Sequence, residues 1–69
     1  MAVFRYIPGE HNVIRVDADG YNTCTVPANP EVHSSGLDFI ALNPGENYFI
    51  CGFAGHCSDE GMRIAVTTG

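Results

Sequence analysis

Turn-forming residues recur so closely along this chain that no regular element can run far between them. Pro8-Gly9, Asp17-Ala18-Asp19-Gly20 and Asn43-Pro44-Gly45-Glu46 each interrupt it, and residues 21–36 are rich in Asn, Pro, Ser and Gly. Pro fixes φ, Gly tolerates positive φ, and Asp or Asn side chains bond their own backbone, so such clusters read as turns and loops. The pieces between them are short: Val3–Tyr6, His11–Val16, Leu37–Leu42, Asn47–Cys51 and Met62–Thr67, with a further extended piece around Val32. Their Val, Ile, Phe, Tyr and Thr content favours strands. Asn12, Ile14 and Val16 fall on one parity, as do Met62, Ile64 and Val66, which is the period-2 pattern of a strand face. Pro44 and Gly45 stand where a type II turn wants them. No segment carries a sustained apolar stripe of helical period. The expectation is a single all-β domain over residues 1–69, without repeats or linkers.

At 69 residues, the chain buries only about 60% of the surface that its unfolded form exposes. Domains this small usually need a disulfide, a metal or a partner chain to hold them. The net charge of −5, with three Arg and no Lys, speaks against nucleic-acid binding, which needs a basic patch to displace counterions. No apolar run approaches a bilayer span. No basic segment followed by an apolar one opens the sequence, so no signal peptide is expected in it.

Three cysteines make an odd count. One bridge plus one free thiolate is the simplest partition, and a lone thiolate in a small domain is a metal ligand or nucleophile in waiting. The densest chemistry lies in residues 51–62, where Cys51, His56, Cys57 and Met62 fall in one loop bounded by strands. Soft sulfur donors combined with imidazole suit copper, and two His with one Cys and a weak axial Met form the blue-copper arrangement. A second imidazole must come from elsewhere. His11, just after Pro8-Gly9-Glu10, is the better placed, and His33 is the alternative.

These residues resemble a family, the phytocyanins, plant blue copper proteins, with the plantacyanin and uclacyanin branches nearest. The resemblance is carried by His11-Asn12-Val13, Tyr21-x-x-Cys24, Ser35-Gly36-x-Asp38, Pro44-Gly45-x-x-Tyr48-Phe49-Ile50-Cys51, Gly55-His56-Cys57 and Gly61-Met62. It runs in order from about Val3 to Val66. It implies a cupredoxin-like Greek-key β-sandwich and one type 1 copper ion held by His11, Cys51, His56 and Met62. It also implies a Cys24–Cys57 disulfide, and a hydrogen bond from Asn12 across to the cysteine loop that holds ligand geometry. An extracellular, apoplastic or cell-surface location follows by the same resemblance. The chain departs from the family pattern in three ways. It begins where the family's third strand would stand, so the sandwich is expected to be shortened at its N-terminus. His56 and Met62 are separated by five residues instead of four, with Asp59-Glu60 where one residue is expected. It is also acidic where plantacyanins tend to be basic.

The implied function is single-electron transfer between Cu(I) and Cu(II). With all four ligand positions filled by protein, no open site remains for a substrate, and an enzyme is not expected. His56, flanked by Ala54 and Gly55 in a loop, would be the solvent-facing edge for electrons. A copper-free interaction module and a fragment without independent function are the competing readings, and zinc could occupy a Cys-His-His site. Asp17-x-Asp19-Gly20 has the start of a calcium loop but lacks its distant Glu. His56 and Cys57, being adjacent, point different ways and make a poor catalytic pair. A shortened sandwich should expose a strand edge and one apolar parity each of Val3–Tyr6 and His11–Val16. A homo-oligomer, or marginal stability raised by copper, is therefore expected; the redox partner is unknown.

Overall fold

The structure is a computed structural model that describes residues 1–53 and 55–68; Ala54, expected to flank His56, lies outside the described residues. Among the described residues six strands and one helix follow in the order β1 (Ala2–Arg5), β2 (Val13–Val16), α1 (Ala18–Thr23), β3 (Glu31–His33), β4 (Leu37–Ile40), β5 (Gly45–Ile50) and β6 (Arg63–Thr68). Strands β1 and β4 form a two-stranded sheet, and β3-β2-β5-β6 form a four-stranded one. Every strand pair is antiparallel. The architecture is the cupredoxin-like β-sandwich that the sequence implies.

Strand β5 is central because both its neighbours bond to it: Ile14 pairs with Ile50 on one side and Ile64 with Phe49 on the other. Period-2 alternation then sends Phe49 and Ile50 to opposite faces. Phe49 packs with Val13 and Ile40 against Phe4, Tyr6, Leu42 and Val66, filling the space between the sheets. Ile50 packs with Ile14 and Cys57 against Val16 and Cys24. The four-stranded sheet is thus covered on both faces.

Two expectations need correction here. The Asp17–Gly20 segment and the residues after it do not form loop alone. Asp17 caps a six-residue helix, its carboxylate accepting from Gly20 N–H at 2.8 Å, and Cys24 closes it in the left-handed region at φ 55°. Gly is a poor helix former, yet a Cβ at Gly20 would lie 2.8 Å from Val16 Cβ, so only Gly lets the helix lie against β2. Nor does β2 present an exposed apolar parity: Val13 and Ile14 are both buried. The disulfide explains this, since Cys24 at the end of α1 is bonded to Cys57, 33 residues on, and pulls helix and loop over the second face. On β1 the expectation holds, with Val3 opposite Phe39 and both more than half exposed.

Strand limits also shift slightly. His11 stands before β2, in an isolated bridge with Pro8, and Met62 stands just before β6. Gly45 takes φ 92°, as the Asn43-Pro44-Gly45 turn requires. Buried Asn47 ties that turn down. Its amide donates to the carbonyls of Asn43, Gly45 and Val66, and its oxygen accepts from Asn43 N–H and Arg15.

Buried Asp38 on β4 is satisfied by Tyr6 Oη–H and Ser35 Oγ–H, while the Tyr6 oxygen also lies 2.9 Å from the His33 carbonyl. The Tyr6 hydroxyl holds the Asp38 carboxyl below its ordinary pKa, with Ser35 adding to the effect. Burial, and then the Asp38 carboxylate, push the Tyr6 phenol up. A depressed carboxyl pKa contributes stability that is complete above the unfolded-state value and is lost as pH falls through the folded-state value. Tyr6→Phe should therefore cost about 1.5–3 kcal/mol at neutral pH, the range for a hydrogen bond to a charged group. Urea unfolding followed down through the carboxylate range should show the gap narrowing; a gap independent of pH would refute the coupling.

The disulfide closes a long loop in the unfolded chain, and on the chain-entropy account removing it should cost about 3–4 kcal/mol. Cys24→Ser with Cys57→Ser should show that loss in thermal melts. Mass mapping of the unreduced protein should leave Cys51 as the alkylatable thiol.

Candidate metal centre

Three donor atoms from distant parts of the chain meet at one end of the sandwich. His11 Nδ1 lies 3.1 Å from His56 Nδ1, and Cys51 Sγ lies 3.4 Å from His56 Nδ1 and 3.8 Å from His11 Nδ1. Local chemistry explains each position. His11 closes a tight turn in which Glu10 and His11 N–H both bond to the Ile7 carbonyl, with Gly9 at φ 87°. Cys51 directly follows β5, shares parity with Phe49, and is 5% exposed. His56 is held from both sides, its N–H on the Phe53 carbonyl at 3.1 Å and its carbonyl accepting from Met62 N–H at 2.9 Å.

Met62 joins the two halves. Its carbonyl accepts from Cys51 N–H at 3.0 Å while its N–H serves His56. Its half-buried side chain lines an open cleft of about 280 Å³ together with His11, Cys51, Tyr6 and Phe49. Asn12, beside His11, reaches across as expected: its Oδ1 accepts from Gly52 N–H at 2.6 Å. Gly is needed there, because a Cβ would lie 2.3 Å from Ile14 Cδ1 and 3.2 Å from Asn12 Oδ1, and Ile14 is buried.

The structure does not bring His33 to this cluster. It sits on β3, its Nε2 2.8 Å from Glu31 Oε2. His33 and then Arg15 hold the Glu31 carboxyl below its ordinary pKa. The outer side of the cluster opens on a depression lined by Gly9, Glu10, His11, Phe53 and His56. Glu60 Oε2 stands 3.6 Å from His56 Nε2. That contact was not foreseen from the sequence, although the extra residue in Asp59-Glu60 was its visible trace.

The donor set fits a soft transition metal. His11, Cys51 and His56 offer one donor atom each, all within 4.8 Å of one another. A proton can bridge only one of these contacts at a time, whereas a cation between them can satisfy all three lone pairs. One thiolate and two imidazoles, with Met62 on the same cleft, match the preferences of copper better than those of hard cations such as calcium or magnesium. The ring atom that faces the cluster is Nδ1 in both histidines, and Nε2 of His56 lies on the side of Glu60.

Comparison with known proteins agrees with this geometry. A family profile described as "Plastocyanin-like domain" matches residues 1–62. The basic blue protein of Arabidopsis thaliana is 48% identical over 65 residues, covering 94% of this chain and 50% of that protein. The chemocyanin of Lilium longiflorum is 51% identical over 65 residues, covering 94% of this chain and 51% of that one. The chain thus spans about half the length of these relatives. Among solved structures, spinach plantacyanin superposes with a TM-score of 0.92 at 49% identity, over 97% of this chain and 72% of that one. With a match over most of its residues and relatives of this identity, the chain belongs to the plastocyanin-like domain family and is a phytocyanin.

Proposed function

We propose that this chain binds one type 1 copper ion through His11, Cys51, His56 and Met62 and passes single electrons. The observation that carries the reading is the convergence of His11 Nδ1, Cys51 Sγ and His56 Nδ1 within 4.8 Å of one another. Met62, on the same cleft as Cys51 and His11, is the fourth donor of that set. When bound, copper supplies a one-electron couple between Cu(I) and Cu(II). The chain supplies a rigid frame for it. Cys51 would supply the strong thiolate donor, shielded from water, and Met62 the weaker thioether one. Asn12 on Gly52 N–H and Met62 on Cys51 N–H fix the ends of the cysteine loop, so the donors need move little on a change of charge.

His56, partly exposed beside Phe53 with ring centroids 5.8 Å apart, is the edge at which electrons enter and leave. With four protein donors no position is left for a substrate, which supports a carrier over an enzyme. The Cys24–Cys57 bridge supports a location outside the cell or at its surface, where disulfides persist. The retained three-donor cluster weighs against a copper-free interaction module. Self-association accompanies this reading. Among the described residues β1 pairs only with β4, which leaves its other edge unpaired beside the exposed Val3 and Phe39.

Copper(II) added to the protein should give an intense visible absorption from thiolate-to-copper charge transfer, and Cys51→Ser should abolish it. A band that survives in that variant would remove Cys51 from the ligand set. Sedimentation with thermal melts should find a dimer or larger species, with a melting temperature raised by copper through binding to the folded state. A monomer whose melting ignored copper would count against both expectations.

A further inference from the structure

The five-residue interval between His56 and Met62 has a structural consequence. Asp59 N–H and Glu60 N–H both bond to the Gly55 carbonyl, at 2.8 and 3.3 Å, and Met62 N–H returns to the His56 carbonyl. Gly61, at φ 68°, lets the chain turn back sharply enough to rejoin β6. This compact turn absorbs the extra residue without pulling Met62 off the Cys51 N–H. It also lays Glu60 over His56 four residues earlier, with Oε2 3.6 Å from Nε2. The two ring nitrogens of His56 therefore face different surroundings. Nδ1 looks into the donor cluster at Cys51 and His11, and Nε2 looks at a carboxylate.

We propose that Glu60 is a positioning and tuning residue for His56. Its carboxylate holds the imidazole proton on Nε2, so that the Nδ1 lone pair is presented to the cluster, and its negative charge favours the more positive oxidation state of the bound metal. The inference rests on the reading that His56 is a copper ligand. At 3.6 Å the contact is longer than an ordinary hydrogen bond and acts as attraction between a charge and a polarised N–H. A carboxylate set against the outer nitrogen of a ligating imidazole fixes its tautomer and orientation and raises its basicity. The Glu60 side chain is 60% exposed and that of His56 24%, so solvent screens the effect, and salt should screen it further.

The test compares wild type with Glu60→Gln, which keeps the size and removes the charge. Glu46→Gln at the far end of β5 serves as a control for net charge. Copper-loaded wild type and Glu60→Gln should show the same charge-transfer band. The preference for Cu(II) over Cu(I) should fall about three- to tenfold in Glu60→Gln, the upper figure being a rise of about 59 mV for a one-electron couple. The difference should shrink in high salt, and Glu46→Gln should leave the potential where it was. In the metal-free protein, imidazole nitrogen NMR should find the His56 proton on Nε2 in wild type and less so in Glu60→Gln. An unchanged potential and an unchanged tautomer in Glu60→Gln would overturn the proposal. If wild type gives no charge-transfer band, the copper reading fails by itself and the metal-free tautomer decides. A shift on Glu60→Gln then keeps the positioning role, and its absence removes it.

Discussion

The Met62 backbone couples the two strands of chain that carry the sulfur and imidazole donors, because its carbonyl takes Cys51 N–H and its own N–H goes to the His56 carbonyl. These two bonds extend the β5–β6 ladder one step past Ile50–Arg63 and then turn it into the loop. The position of Cys51 thus inherits the register of the central sheet pair, and His56 inherits it at one remove. Asn12 adds the third tie, from the start of β2 to Gly52. Loops normally place side chains loosely. Here the loop is bonded to strand ends on both sides, so three donors from residues 11, 51 and 56 can meet within a few ångströms.

The loop is also gripped through its adjacent side chains. His56 faces Cys51 and His11, while Cys57 lies in the second core with Ile14 and Ile50 and is bonded to Cys24. The disulfide thereby does two things at once. It brings α1 over the outer face of the four-stranded sheet, where Tyr21 meets Tyr48 with ring centroids 5.2 Å apart and Arg63 lies over the Tyr21 ring. It also anchors the residue next to His56. Among the described residues each core is thin, with three buried members apiece, which is the condition in which small domains depend on a covalent tie.

What the sequence disclosed, and what it hid, follows from the range of each interaction. The turn at Pro44-Gly45, the alternation in β5 and the sulfur- and nitrogen-bearing loop after it are local patterns, and they are where period-2 reasoning is strong. The helix was hidden because Asp17-x-Asp19-Gly20 serves equally as a turn or as a cap, and Gly20 inside a helix argues against one until its contact with Val16 is seen. Burial of both parities of β2 was hidden because the covering element arrives through a bridge 33 residues long. The Tyr6–Asp38 pair, 32 residues apart in sequence, leaves no local trace at all. The donor set was legible chiefly through family resemblance. Spacing alone left His11 and His33 both open; the resemblance favoured His11, and the fold agrees, turning His33 toward Glu31.

The acidic character of the chain is distributed in a way that matters for the donor end. Arg15 is engaged by Glu31, Asn47 and the Ala41 carbonyl, and Arg63 by the Tyr21 and Asn22 carbonyls. The third arginine, Arg5, lines the cleft with His11, Cys51 and Met62, as does Arg63, so the cations near the donors stand on the cleft side. Glu10 lines the depression over His11 and His56, and Glu60 faces the outer nitrogen of His56. Carboxylates around such an exposed edge act over about a Debye length and favour a partner of opposite charge during encounter, without adding contacts once it has docked. On the electron-carrier reading, Glu60, proposed to bias the oxidation state, also adds negative charge to the surface that a partner would meet. On that reading a change in the length of the turn over residues 55–61 would move Glu60 relative to His56, and so alter both its influence on a bound metal and the charge of the surface around the imidazole.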